Sequence, residues 1–167
     1  GFEQGFLKKL NNQNLKNNKV LIIGAGGVTP SIVYALKKKG IKEIYIGNRT
    51  FKKAEDIKIK FPFIKIIKWE NIEEGARKMD IIINATSLGL KGGNNFKQEF
   101  TKTKANLVYY DIIYNPEETI MVKKFRKKNV KSFNGMEMFM YQGQKSFTLW
   151  NKINPEFDEE IKQILAS

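Results

Sequence analysis

The chain has 167 residues, a formal net charge of +13, and neither cysteine nor histidine. This length suits one domain with a sizeable core, and the composition excludes disulfides, thiolate metal sites and a histidine general base, so we predict no metal site. No apolar run is long enough to span a membrane and no secretory pattern is visible, so we expect a cytoplasmic protein that binds no membrane.

The first predicted element is a short amphipathic helix within residues 1–18. Phe2, Phe6, Leu7 and Leu10 stand at helical spacing, and polar residues then lead to the first strand. We expect Phe2 and Phe6 to be exposed, and together with the C-terminal helix they favour self-association, so we regard a homo-oligomer as an open alternative.

The segment from Lys19 to Leu36 organises the rest of the chain. A β-branched run typical of a buried parallel strand ends at Ile23, and a helix is predicted over residues 30–39. Between them lies a turn that contains Gly24, Gly26 and Gly27. Strand, glycine turn and helix together are typical of a site for the phosphates of a dinucleotide.

Each residue of this turn has an expected function. Gly24 permits the sharp turn, and Gly26 allows the backbone to approach a pyrophosphate without a Cβ in the way. The third position of the usual glycine pattern is Thr29, which we expect to cap the helix, with Pro30 suited to its first position. A simple strand–helix turn without a ligand is the alternative.

The following elements alternate along the chain. Further strands are predicted over Glu43–Gly47, Ile64–Trp69, Ile81–Ile83, Leu107–Tyr110 and Val130–Phe133. Helices are predicted from Lys52, over Glu70–Met79, from Asn115-Pro116, over Met136–Trp150 and from Asn154-Pro155, with a polar surface loop over residues 91–106. This alternation predicts a single-domain α/β fold, a Rossmann-type doubly wound sheet of six parallel strands in the order 3-2-1-4-5-6.

The loop after the second strand indicates which coenzyme is bound. Sites for NAD usually place an acid there, to accept hydrogen bonds from the ribose hydroxyls. This chain has Asn48, Arg49 and Thr50, with Lys53 close behind. Arg49 can pair with a 2′-phosphate and stack on adenine, and Lys53 can add a point charge. NADP is therefore the predicted cofactor, with a plain surface arginine as the alternative.

At this point the chain resembles the C-terminal, cofactor-binding domain of the shikimate dehydrogenase family. The matching segments span most of the chain in order: GAGGVTPSIVYAL (24–36), NRTFKKAE (48–55), NATSLGL (84–90), YDIIYNPEET (110–119) and NGMEMFMYQGQKSFTLW (134–150). The resemblance implies an oxidoreductase of aromatic amino-acid and chorismate biosynthesis, which reduces 3-dehydroshikimate to shikimate with NADPH.

The resemblance also implies residue roles. Gly24, Ala25, Gly26, Gly27 and Val28 match the pyrophosphate loop, and Asn48, Arg49, Thr50 and Lys53 match the contacts to the 2′-phosphate and adenosine. Thr86 corresponds to the nicotinamide ribose, and Ile113, Gly135 and Met138 to the nicotinamide ring. Tyr114 and Gln142 correspond to groups that contact the substrate, although Tyr114 as a strand-end aromatic and Met138 as plain core are alternatives.

The family's catalytic Lys and Asp belong to an N-terminal substrate domain, which matches nothing in this chain. We therefore expect residues 1–18 to be a linker helix from that domain, 19–150 the NADP-binding domain and 151–167 a C-terminal helix. The chain alone is expected to bind NADPH without turnover, because ketone reduction needs a proton donor as well as a hydride donor.

Three other functions remain open. A relative that acts on quinate would favour NAD, against which Arg49 argues. A non-catalytic NADP sensor would lack the substrate domain. An RNA-binding module would explain the positive charge, but the lysines are dispersed and the only arginines are Arg49, Arg77 and Arg126, so we predict a solvated basic surface and no nucleic-acid binding.

Overall fold

The computed structural model, which describes residues 1–10, 15–156, 161 and 164, contains one sheet of six parallel strands. The strand order is β3-β2-β1-β4-β5-β6, as predicted. The strands are β1 (Lys19–Ile23), β2 (Glu43–Gly47), β3 (Lys65–Ile67), β4 (Ile81–Asn84), β5 (Val108–Asp111) and β6 (Lys131–Phe133). The central strands β4 and β5 are buried at every position, which is why their sequences are nearly continuous apolar runs.

Helices cover both faces of the sheet. They are α1 (Phe2–Gly5), α2 (Thr29–Lys38), α3 (Phe51–Lys60), α4 (Ile72–Ala76), α5 (Ile120–Lys127) and α6 (Met136–Asn151), with 3₁₀ turns at Leu7–Leu10, Leu15–Asn17 and Trp69–Asn71. Alternate strand residues point to opposite faces. Thus Ile22 and Ile83 join the core beneath α1, α2 and α6, whereas Ile23 and Ile82 join the core beneath α4 and α5.

The N-terminal segment differs from the prediction. It forms the four-residue α1 and a 3₁₀ turn rather than one continuous helix. Phe2 and Phe6, expected to be exposed, are buried, and the Phe6 ring stacks on Tyr110 with centroids 4.2 Å apart. Both rings pack against apolar residues of the same chain, so they do not support self-association.

Two helix starts also differ. Thr29 does not cap α2, because its Oγ1 donates to the carbonyl of Gly24 at 3.1 Å, and Val28 occupies the N-cap position. Helix α5 begins at Ile120, four residues beyond Pro116. Its N-cap is Thr119, whose Oγ1 accepts from Val122 N–H at 3.3 Å. Thr119 is held there because the same hydroxyl donates to the buried Asp111.

Three other segments are shorter or less exposed than predicted. β3 ends at Ile67, and α4 runs only from Ile72 to Ala76. In the predicted surface loop 91–106, Phe100 is buried against Phe96 and Phe125.

Other boundaries agree with the sequence. Gly40 follows the end of α2 with φ +83°, and α6 covers the predicted long helix. The predicted last helix falls mostly outside the described residues. No helix in the described part combines the length and apolar character needed to cross a lipid bilayer.

Candidate functional site

The floor of the candidate site is the turn after β1. Gly24 has φ +117°, and its N–H donates to the Gly47 carbonyl at 2.8 Å. A Cβ at this position would lie 2.6 Å from the Ala85 carbonyl oxygen. The left-handed conformation and this close approach both require glycine, so Gly24 forms the sharp turn that was predicted.

The next two glycines face open space. A Cβ on Gly26 or Gly27 would meet no atom within 4 Å. The ten-residue helix α2 starts immediately afterwards, at Thr29, whose N–H donates to the Gly26 carbonyl at 3.1 Å. Pro30 has no N–H, so Ser31 carries the first helical N–H without an intrahelical acceptor. An exposed glycine backbone beside a helix N-terminus can approach and bind a phosphate group.

Asn48 joins this turn to the loop after β2. Its Oδ1 accepts from Ala25 N–H at 3.1 Å, and its Nδ2 donates to the Thr50 carbonyl at 2.8 Å. Both hydrogen bonds restrict the loop that carries Arg49, whose exposed side chain lines the same cleft as Lys53. The glycine turn and the arginine loop are therefore neighbouring walls of one site.

The cleft has a volume of about 1040 Å³ and lies over the carboxyl ends of β3, β2, β1 and β4. Its residues include most of the predicted coenzyme contacts: Gly24, Ala25, Gly26, Asn48, Arg49, Thr50, Lys53 and Thr86. Gly27 and Val28 adjoin it at the start of α2 but are not among its lining residues.

Sequence reasoning did not identify the far wall of the cleft. That wall consists of the half-buried Trp69, which follows β3, and the segment 90–98 with its cationic residues Lys91 and Lys97. Neither follows from a motif. The one available signal was the presence of two glycines and two lysines in the segment that follows the loop after β4.

A buried polar network supports the loop after β4. Asn84 Oδ1 accepts from the Thr86 N–H at 3.0 Å and from Thr86 Oγ1 at 2.7 Å, and Thr86 Oγ1 in turn accepts from Leu88 N–H. Asn84 Nδ2 donates to the Leu88 carbonyl and to Asp111 Oδ1, both at 3.0 Å. The Thr86 hydroxyl proton is thus engaged within the protein, which fixes the position of this side chain at the cleft.

Asp111 lies at the centre of this network, and sequence reasoning did not identify it as a residue that supports the site. Besides Asn84, it accepts from Ile113 N–H, Tyr109 Oη and Thr119 Oγ1 at 2.9–3.1 Å. Burial raises the pKa of Asp111, and this effect outweighs the four donated hydrogen bonds, which favour the carboxylate. The residue holds together β4, β5 and the start of α5 beneath the cleft.

The remaining predicted residues form a second group outside the cleft lining, where the carboxyl end of β5 meets the start of α6. Gly135 N–H donates to the Ile113 carbonyl at 2.9 Å, and a Cβ on Gly135 would overlap the Ile112 carbonyl. Met138 is buried in the core, and Tyr114 stacks on Phe139 with centroids 4.2 Å apart. Gln142 is exposed on α6.

Comparisons with known proteins agree with this architecture. Residues 7–116 match the family described as Shikimate / quinate 5-dehydrogenase. The NADP(+) shikimate dehydrogenase of Pelagibacter ubique is 48% identical over 154 residues, which are 92% of this chain and 56% of that protein. The chain thus spans about half the length of this relative.

Solved structures show the same partial coverage. Shikimate dehydrogenase from Aquifex aeolicus has a TM-score of 0.77 against this chain, at 35% sequence identity. The match covers 92% of this chain and 56% of that one. The Thermus thermophilus enzyme, solved with NADP(H) and shikimate, has a TM-score of 0.73 at 27% identity, with coverages of 92% and 57%. The sequence match from β1 to β5, which includes the glycine turn, together with the shared fold, leads to one conclusion: this chain belongs to the Shikimate / quinate 5-dehydrogenase family.

Proposed function

We propose that this chain is the NADP(H)-binding part of a shikimate dehydrogenase, an enzyme that reduces 3-dehydroshikimate to shikimate. The observation that carries the proposal is the cleft itself: an open glycine turn lies next to Arg49 and Lys53, and no Asp or Glu lines the cleft. An acid that could accept from a free 2′-hydroxyl is absent among these residues, whereas cations that could bind a 2′-phosphate are present. The NADP(+) named for the Pelagibacter relative supports the same cofactor.

The residues of the cleft fit this coenzyme. The backbone of Gly24–Val28 would hold the pyrophosphate, because Gly26 and Gly27 leave space where a side chain would otherwise stand. Asn48, Arg49, Thr50 and Lys53 would hold the 2′-phosphate and adenosine, and Thr86 would border the nicotinamide ribose. NADPH, when bound, supplies the hydride for ketone reduction.

The second group of residues would complete the reacting end of the site. Ile113, Gly135 and Met138 would form an apolar surface beside the nicotinamide, which excludes water from the hydride path. Tyr114 and Gln142 would offer a hydroxyl and an amide to the polar substrate. The stacking of Tyr114 on Phe139 restricts where its hydroxyl can lie.

Proton donation is assigned to residues beyond this chain. The two Lys–Asp ion pairs in the described residues lie elsewhere: Lys52 pairs with Asp56 on α3, and Lys104 with Asp80, which accepts from Lys19 N–H at the amino end of β1. Neither pair lines the cleft: Lys52 and Asp56 are absent from its lining residues, and Lys104 and Asp80 lie at the amino end of the sheet. We therefore expect residues 1–167 alone to bind the coenzyme without reducing 3-dehydroshikimate.

Calorimetry of the chain with NADPH and NADH tests the proposal. We expect NADPH to bind at least about tenfold more tightly, since one charge-assisted bidentate contact contributes about 1.5–3 kcal/mol. Arg49→Met should remove most of that preference. Arg77→Met is the matched control, because Arg77 pairs with Glu74 away from the cleft. Failure to bind either coenzyme, or equal affinity for both, would overturn the proposal.

A further inference from the structure

The segment 90–98, which forms the far wall of the cleft, is built as a folded turn. Leu90 N–H donates to the Ser87 carbonyl at 3.2 Å, and Gly93 N–H to the Leu90 carbonyl at 2.9 Å. Gly89 N–H donates to the Asn94 carbonyl at 2.8 Å. These bonds close the segment on itself near β4, so its side chains are presented from a defined backbone.

The other end of the segment is fixed to α4. Glu73 Oε1 accepts from the N–H groups of Glu99 and Phe100, at 3.0 and 2.9 Å. The Phe100 ring is buried against Phe96, with centroids 5.8 Å apart. Because α4 directly follows the 3₁₀ turn that carries Trp69, this anchor brings the end of the segment to the β3 side of the cleft.

The charges around the cleft are of one sign. Arg49 and Lys53 line one wall, Lys91 and Lys97 the other, and no acidic residue lines either. Within the described residues, none of these four cations is in an ion pair, whereas nine other lysines and arginines are. Four like charges around one cleft raise its positive potential, which favours a ligand with more than one anionic group.

The position of the anchor indicates which anionic group the far wall meets. The glycine turn lies at the end of β1, in the middle of the sheet, and would take the pyrophosphate. The Arg49 loop lies at the end of β2, and Trp69 lies beyond it at the end of β3. The end of this wall that carries Lys97 is anchored beside Trp69 and therefore lies on the Arg49 side of the cleft, whereas Lys91 lines the same cleft from the β4 side.

We propose that Lys97, assisted by Lys91 from the same wall, binds the 2′-phosphate of the coenzyme opposite Arg49, and that the two lysines are further determinants of the preference for NADPH over NADH. This inference rests on the proposed function. A phosphate monoester carries a charge of about −1.5 to −2 near neutral pH and three acceptor oxygens. Arg49 can supply a planar pair of donors, and the two lysines can supply point charges to the remaining oxygens.

The double variant Lys91→Met/Lys97→Met tests the inference by binding alone. Its affinities for NADPH and NADH are measured by calorimetry, with 2′,5′-ADP and 5′-AMP as smaller probes that differ only in the 2′-phosphate. We expect NADPH and 2′,5′-ADP to bind about tenfold more weakly than to the unsubstituted chain, because two solvent-exposed charge contacts are lost. The affinities for NADH and 5′-AMP should change by less than about twofold.

The matched control is Lys42→Met/Lys123→Met. Lys42 precedes β2 at the opposite edge of the sheet, and Lys123 lies on α5; both are exposed. This control removes the same net charge and should leave all four affinities within about twofold, since distant surface charges are screened.

The outcomes separate the inference from the proposed function. If the unsubstituted chain prefers NADPH but the cleft variant binds NADPH as tightly as the control does, the inference fails and the proposed function stands. If the cleft variant weakens NADH as much as NADPH, the lysines meet a group common to both coenzymes, and the assignment to the 2′-phosphate is wrong. If the unsubstituted chain binds neither coenzyme, the proposed function fails and the inference fails with it.

Discussion

Gly24 and Gly26 stand two residues apart in one turn, but their surroundings differ. At Gly24 an added Cβ would meet the backbone of Ala85, while at Gly26 it would meet nothing. Gly24 is therefore required by the fold, because it allows the end of β1 and the loop after β4 to approach each other. Gly26 is instead expected to matter for ligand binding, because the space beside its backbone is open.

This contrast gives a prediction for Gly24→Ala. The substitution should lower the free energy of unfolding by more than about 2 kcal/mol, because a positive φ is strained for alanine and the Ala85 backbone must move. Denaturation in urea measures it. The matched Gly26→Ala variant should lose less than about 1 kcal/mol of stability but bind NADPH about tenfold more weakly, because its methyl group would occupy the phosphate position. Equal loss of stability in both variants would contradict this division.

The residues that follow a strand directly were predictable, and those that reach the site by a long connection were not. Gly24 and Arg49 come immediately after apolar runs, so parallel-sheet topology alone places them at one edge. Lys97 reaches the cleft only because Glu73, more than twenty residues earlier, binds the backbone at Glu99 and Phe100. No local pattern encodes that contact.

At the scale of elements, the junction of β4, β5 and α5 depends on Asp111. The sequence favoured a helix start at Asn115-Pro116, where a cap, a proline and two acids follow one another. The structure starts α5 at Ile120 because Thr119 is bound to Asp111 through its hydroxyl. A buried hydrogen bond between two elements outweighed a local helix-start pattern, and such a bond cannot be read from local sequence.

Asp111→Asn tests how this junction responds to pH. Because burial raises the pKa of Asp111, the folded state holds the proton more tightly than the unfolded state. The stabilising contribution of Asp111 is therefore present below the ordinary pKa of aspartate, and it is lost as pH rises through the raised pKa of the folded state. Asparagine keeps an acceptor oxygen and does not titrate.

The expected result is that the stability of Asp111→Asn, relative to the unsubstituted chain, increases from about pH 4 toward neutrality. Urea denaturation at a series of pH values provides the measurement. Asp56→Asn on the exposed face of α3 controls for the loss of one carboxylate. If the stability difference between Asp111→Asn and the unsubstituted chain stays constant or decreases over this pH range, burial does not raise the pKa of Asp111.

At the scale of the whole molecule, the alternation of strands and helices was sufficient to predict the sheet. The strand order follows from general rules of parallel sheets, which need only the position of each apolar run. The position of the first ten residues did not follow from such rules. Phe2 and Phe6 could have faced solvent or a partner, and in this fold they pack against the rings of Tyr110 on β5 and Phe133 on β6.

Phe6→Ala tests whether this segment is part of the core. We expect a loss of about 3–5 kcal/mol in the free energy of unfolding, because the Phe6 ring is fully buried and stacks on Tyr110. Phe147→Ala on α6, where the ring is 44% exposed, should cost much less. Similar losses in the two variants would indicate that residues 1–10 are only loosely attached.

The hydrogen bond from Ala25 to Asn48 has a consequence for ligand selection. It joins the turn after β1 to the loop after β2 within the protein itself, so the distance between the two loops does not depend on the ligand. A coenzyme isomer with its extra phosphate on the 3′-oxygen would carry the same charge but a different separation between its phosphates. Discrimination between such positional isomers would then depend on geometry, which the Asn48 amide would set together with the hydrogen bond from Gly24 to Gly47.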